Sequence, residues 1–179
     1  MAKDNTKICV VCEKEKSLTE FNKRASETDG RRKECRICQK QANAGYRNTP
    51  NGRLRRAFHV AKARAKAAGA YDTLTFEELK ETFDAAVDHG CVYCGGELEN
   101  DWSVEHVIPY SKGGTNEIHN VVIAHNACNF RKHNHAPADY CEAPGSLDQL
   151  AAYLYVMSDG KYEIDEAYAL LKSGEANGE

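Results

Sequence analysis

An α+β fold assembled from small, cross-linked pieces is what this sequence predicts, and three observations predict it. The chain has 179 residues, 41% hydrophobic and 28% charged. That is enough for one or two small domains and excludes disordered and collagen-like classes. Six of its eight cysteines stand in C-x-x-C pairs, Cys9/Cys12, Cys35/Cys38 and Cys91/Cys94, with Cys128 and Cys141 besides. Helical periodicity over several segments gives way to short β-branched runs around residues 104–124. No apolar run is long enough to span a bilayer, and the first residues show no secretory h-region. A cytoplasmic protein without a membrane partner is therefore expected, and in that setting C-x-x-C pairs read as metal ligands rather than disulfides.

The charge is divided. Residues 1–70 carry 18 Lys+Arg against 7 Asp+Glu, whereas residues 71–179 carry 6 against 20, so the net of −3 conceals a basic half and an acidic half. A basic segment of this density fits a polyanionic partner, usually nucleic acid.

The first segment, 1–42, holds Cys9-x2-Cys12, then 22 residues, then Cys35-x2-Cys38. This is zinc-ribbon spacing, two knuckles aiming four thiolates at one point. The apolar content between them, chiefly Ile8, Leu18, Phe21 and Ile37, is too thin to hold the unit without a metal staple. Asp29-Gly30 marks a hairpin turn between the knuckles.

The second segment, 43–90, opens with a linker over 43–52. A helix over about 53–68 follows, stopped by Gly69, with Leu54, Ala57, Phe58, Ala61, Ala65 and Ala68 on one face. Arg53, Arg55, Arg56, Lys62, Arg64 and Lys66 make its other side basic, and phosphate contact is expected there. A further helix starts at the capping box Thr75/Glu78, with Leu74 and Leu79 as its staple. Its buried face is Phe76, Leu79, Phe83 and Val87, and Gly90 ends it.

In the third segment, 91–136, Val104 to Ile108 reads as a strand ended by Pro109. Gly113-Gly114 allows the return, Asn120 to Ala124 is the second strand, and His125-x-x-Cys128 opens a short helix. A structural zinc on Cys91, Cys94, His125 and Cys128 would close this small unit, with His133 and His135 as nearby competitors for the histidine position. In the acidic segment 137–179, Ser146-x-x-Gln149 opens a helix with Leu147, Leu150, Ala151, Leu154 and Met157 on one face. A shorter helix over 165–172 follows, and 174–179 reads as a frayed tail. Three roles stay open for this segment: packing on the core, contact with a second copy or another protein, and mimicry of DNA charge.

Five elements stand in order over residues 91–132. They are Cys91-Val-Tyr-Cys94-Gly95, Glu105-His106-Val-Ile-Pro109, Ser111-Lys-Gly-Gly114, the Asn120-led strand, and Cys128-Asn129-Phe-Arg131-Lys132. Together they resemble the HNH endonuclease family, whose fold is the ββα-metal finger. The layout, with its N-terminal cysteine unit and basic linker, is also similar to small phage-encoded HNH nucleases, which would place it in a host cytoplasm. The resemblance implies DNA as partner and substrate, with His106 as general base. It also implies one divalent ion, Mg2+ or Mn2+, held by Glu105 and Asn129, with Asn120 orienting the loop of the base. Lys112, Arg131 and Lys132 would meet phosphate. The family's usual acid is Asp where this chain has Glu105, and Asp101 shares the strand parity of Glu105. Eight zinc ligands in two sites leave Cys141 as a spare thiol. The main reading is a DNA-hydrolysing endonuclease, and the second is a zinc-containing DNA-binding or host-regulating protein with an inactive finger. A single finger cuts one strand, so a double-strand break would need a homodimer or two nicks.

Overall fold

The computed structural model describes residues 5–176. The chain divides into two compact units, Met1–Arg53 and Leu54–Glu179.

In the first unit β1 (Thr6–Ile8) pairs antiparallel with β2 (Glu15–Ser17), and β3 (Phe21–Lys23) pairs antiparallel with β4 (Arg31–Cys35). Gly30, at φ +66°, takes the left-handed position in the β3–β4 turn, where a side chain would be strained. The buried core is Phe21 with Cys9, Cys35 and Cys38. Ile8 and Ile37, expected inside, are instead exposed. So small a unit has room for one aromatic ring and four sulfurs, and the knuckles turn their flanking aliphatic residues outward.

The expected linker is helical. Helix α1 (Arg36–Asn48) follows β4 directly, and α2 (Pro50–Ala68) begins two residues after it ends. Thr49 makes the break. Its hydroxyl accepts the Gly52 N–H at 3.1 Å, and Pro50 supplies the fixed φ of a first helical residue. Gly52 has the Tyr46 carbonyl oxygen where a Cβ would stand, so a larger residue there would part the two helices.

Within the second unit α2 buries Leu54, Ala61 and Ala65, leaves Ala68 exposed, and ends at Gly69 with φ +65°. Thr75 and Glu78 form both halves of the capping box of α3 (Phe76–His89), Leu74 and Leu79 are buried around it, and Gly90 closes it. Val87, expected on the buried face, is exposed, while its neighbour Ala86 takes the place against the core. The knuckle Cys91–Gly96 lies against Gly90, whose added Cβ would meet the Gly95 and Gly96 carbonyl oxygens at 2.6 and 2.8 Å.

Strands β5 (Ser103–His106) and β6 (Val121–Ala124) form an antiparallel hairpin in which His106 faces Val121. Asn120 stands in the turn before β6 rather than in the strand. Helix α4 (Asn126–Lys132) then packs on β5. Helices α5 (Ser146–Met157) and α6 (Ile164–Ser173) complete the core through Leu150, Leu154, Ala167 and Leu171. Gly145, not Ser146, caps α5: its carbonyl accepts the Gln149 N–H, and the Ser146 hydroxyl is buried without a hydrogen-bond partner. Of the three roles left open for the acidic segment, packing is what the fold displays. The Tyr153 hydroxyl lies 2.8 Å from the carbonyls of both Ile118 and Val121. Residues 174–176, expected to fray, are tied down: the Ala176 N–H donates to the Lys112 carbonyl, and Glu175 pairs with the Lys112 ammonium. The rest of that tail, 177–179, lies outside the described residues. Among the described residues no helix is long and apolar enough to cross a membrane.

Candidate active site

Among the described residues, two ligand clusters exist as geometry. The metal-binding atoms of Cys9, Cys12, Cys35 and Cys38 lie within 4.8 Å of one another, as do those of Cys91, Cys94, His125 and Cys128. A tetrahedral zinc with sulfur ligands at about 2.3 Å holds those sulfurs about 3.8 Å apart, so both clusters are close to closure. Their chemistry also fits a cation. In the first, backbone N–H groups of Cys12 and Cys35 hold the Cys9 thiol down at about 6, while burial and the neighbouring thiols push Cys38 up to about 12. Four sulfurs this close ionise together only around a positive ion. In the second, His125 sets Nδ1 at 3.3 Å from Cys94 Sγ and Nε2 at 2.8 Å from the Glu97 carbonyl. An Nε2–H bonded to that carbonyl leaves Nδ1 as the ligand atom. His133 and His135 are exposed and outside the cluster.

The hairpin positions the rest. The Asn120 carboxamide accepts the Ile108 N–H at 2.7 Å and donates to the carbonyls of Ile108 and Thr115 at 2.9 and 2.8 Å. One side chain therefore closes the loop that leaves β5, and a Cβ on Gly114 would collide with the Ile108 carbonyl oxygen at 1.8 Å. His106 sits at the mouth of this loop. Its Nε2 is 2.9 Å from Asn116 Oδ1 and 2.8 Å from the Tyr110 hydroxyl. Burial holds the imidazole below its ordinary value, against the pull of Asn116 and helped by the charges of Lys132 and Arg64, so the ring is neutral at neutral pH.

Glu105 points the other way, toward α4. Its Oε1 is 2.6 Å from Lys132 Nζ and accepts the Tyr93 hydroxyl at 3.2 Å. Burial raises the Glu105 carboxyl above its usual range, opposed by the ammonium beside it. On the same helix, Asn129 donates Nδ2 to Ser103 Oγ and the Val104 carbonyl, which turns its Oδ1 away from the strand. Asp101 is exposed and takes the Asn126 amide.

The expected phosphate contacts divide. Lys132 is 0% exposed and also donates to the His106 carbonyl at 3.0 Å, so it cannot face phosphate. Its place on the inner face of α4 was hidden in a run of basic residues. Lys62 pairs with Asp72 at 2.8 Å, Lys112 with Glu175, and Arg131 with Glu142 at 3.2 Å. Arg55 stacks over the Phe76 ring, and Arg56 and Lys66 are exposed on α2. Arg53 is half-buried at the end of the first unit. Sequence reasoning missed Tyr93, Tyr110, Asn116 and Asp72, all of which touch Glu105 or the His106 network. Asn116 stands two residues beyond the Gly113-Gly114 turn, and that position was the one available signal.

Residues 91–135 match the model of the family described as HNH endonuclease. Neither the curated proteins nor the solved structures give a match to this chain. Residues 91–135 thus carry an HNH domain, set between α3 and α5, and the described residues hold two four-ligand clusters able to bind metal ions.

Proposed function

We propose that the protein is a metal-dependent endonuclease that hydrolyses DNA phosphodiester bonds, with two structural zinc ions and His106 as its general base. The observation that carries this reading is the placement of His106 at the end of β5. It lies inside the HNH-matched segment, neutral, and held on Nε2 by Asn116 and Tyr110 beside a loop that Asn120 clamps.

A neutral imidazole with one nitrogen occupied accepts a proton at the other. His106 Nδ1 would take the proton of the attacking water as the oxygen adds to phosphorus and the 3′ oxygen leaves. Asn129 Oδ1, turned away from β5, offers a hard oxygen donor of the kind Mg2+ and Mn2+ select, and Glu105 would join it at a divalent ion by releasing Lys132 and Tyr93. When bound, such an ion polarises the phosphate and stabilises charge on the leaving oxygen. Lys132 does its work from behind, fixing the Glu105 carboxylate until the ion binds rather than meeting the substrate. A single site of this kind cuts one strand, so nicked plasmid is the first product expected on adding Mg2+ or Mn2+. Asn129→Ala should slow nicking, and raising the ion concentration should restore part of it. The same titration should leave a His106→Ala protein inactive. Nicking that is equally fast in a chelator would refute the metal dependence.

The position of Lys132 yields a stability prediction. Removing one partner of a buried ion pair leaves an unpaired buried charge, at a cost of about 3–5 kcal/mol. Lys132→Met should lower the unfolding free energy by about that much, and adding Glu105→Gln should recover much of it. Neither change should alter the salt dependence of DNA binding. A flatter salt dependence in Lys132→Met would return this lysine to the phosphate.

Exposed basic residues of α2 supply the candidate grip. Each phosphate neutralised contributes roughly −0.9 to the slope of log K against log salt. Substituting Arg56 and Lys66 together by alanine should therefore flatten the slope by up to about 1.8. Point changes suit this test because Leu54, Ala61 and Ala65 of the same helix are core residues of the second unit. An unchanged slope would place the DNA elsewhere.

A further inference from the structure

His106 does not stand alone. Asn116 is 0% exposed, and every polar atom of it has a partner. Its N–H donates to the Tyr71 carbonyl at 2.8 Å, and its carbonyl accepts the N–H of Leu74 at 3.0 Å. Its Nδ2 donates to Asp72 Oδ1 at 2.8 Å, and its Oδ1 lies 2.9 Å from His106 Nε2. Asp72 and Asn116 also form a parallel β-bridge, so backbone and side chains lock the same two residues together. Lys62 Nζ closes the far end at 2.8 Å from the same Asp72 oxygen.

The hydrogen-bond roles in this chain follow from what each group can do. An ionised carboxylate only accepts, so Asp72 requires the NH2 end of the Asn116 amide. Asn116 Oδ1 is thereby turned to His106, and a carboxamide oxygen also only accepts. His106 Nε2 must then carry the hydrogen. The Tyr110 hydroxyl is consistent with this: burial pushes it up to about 12, so it keeps its proton, and it can donate that proton to Asn116 Oδ1 at 3.3 Å. With Nε2 protonated in the neutral ring, Nδ1 is the basic nitrogen.

We infer that Asp72 and Asn116 are positioning residues that fix His106 as its Nε2–H tautomer and so reserve Nδ1 for the proton of the attacking water. This rests on the reading of His106 as the base. Asp72 lies outside residues 91–135, so the matched segment is completed by the stretch between α2 and α3.

The test is long-range 1H–15N correlation on the full, zinc-loaded chain labelled at histidine, in mildly alkaline buffer, with His106 assigned by its loss in His106→Ala. The wild type should show a protonated Nε2 and an unprotonated Nδ1. Asp72→Ala and Asn116→Ala should shift the ring toward a mixture of tautomers. They should also lower kcat on nicked-plasmid formation with little change in KM. The expected loss is at least about tenfold and at most the roughly 10²–10⁴-fold that a general base itself supplies. Asp72→Asn, which keeps an acceptor oxygen and the volume, should fall between wild type and Asp72→Ala in both readouts. It also serves should the alanine variants fail to fold. A wild-type ring protonated on Nδ1 overturns the inference whatever the activity. So does an unchanged tautomer in folded Asp72→Asn and Asp72→Ala. An Nε2–H wild type together with a fully active His106→Ala would instead sink the general-base reading and leave the relay standing as structure.

Discussion

His106→Ala is expected to reduce nicking by on the order of 10²–10⁴-fold or more while zinc content, fold and DNA affinity stay as they are. The reason is that a general base acts where the proton moves, in the transition state, and adds nothing to ground-state binding of the phosphodiester. The structure adds a cost to this variant. Alanine leaves Asn116 Oδ1 facing a gap where it had met Nε2, with the Tyr110 hydroxyl at 3.3 Å as its remaining donor, and a buried acceptor so weakened costs up to about 1–3 kcal/mol. A second variant removes that ambiguity. His106→Gln offers an amide N–H toward the same acceptor but has no nitrogen lone pair able to take a proton, so it should be as inactive as alanine and more stable. Single-turnover rates at saturating DNA, beside thermal melts of both variants, make the comparison. Either variant nicking at the wild-type rate would remove His106 from the chemistry.

What could be read in the sequence, and what could not, follows from the range of the signals. Both ligand clusters were legible because knuckle spacing is local: two residues between sulfurs fix their approach whatever surrounds them. The capping box of α3 and the stop at Gly69 were legible for the same reason. The linker over 43–52 was misjudged because Asn, Gly and Pro there suggest a break, whereas Pro50 sits where proline starts a helix. Lys132 looked like its neighbour Arg131, and only the facing of α4 onto β5 separates a buried ammonium from an exposed guanidinium. Glu105 in place of aspartate looked like a weakened ligand. In the fold, its side chain meets both Lys132 and Tyr93, contacts that the shorter acid would have to reach across another methylene. The relay through Asn116 was invisible because its partners, Asp72 and His106, come from segments 44 and 10 residues away. No pattern of spacing announces a hydrogen bond across that distance.

Stripping zinc with a strong chelator under reducing conditions should separate the two units. Among the described residues the first has Phe21 and its cysteines for a core, with no other large side chain in it. A structural zinc supplies about 10–16 kcal/mol of folding free energy in comparable small fingers, more than a unit of this size can replace. Its amide cross-peaks should collapse to the unfolded region. The second unit buries some twenty residues outside the first, from Leu54 to Leu171, among them Leu79 of α3, Leu150 and Leu154 of α5, and Ala167 and Leu171 of α6. It should keep helical signal while losing order at the knuckle, at the end of β6 and in α4, because Cys91, Cys94, His125 and Cys128 are what join those three. Asn129 and Lys132 ride on α4, so nicking should stop with the loss of the second zinc even when Mg2+ is in excess. Elemental analysis should find two zinc ions per chain before treatment. Cys141→Ser should leave that count unchanged, and Cys128→Ser should reproduce the local disorder without a chelator. A metal-free protein with the spectrum of the untreated one in both units would show that neither cluster holds its unit together.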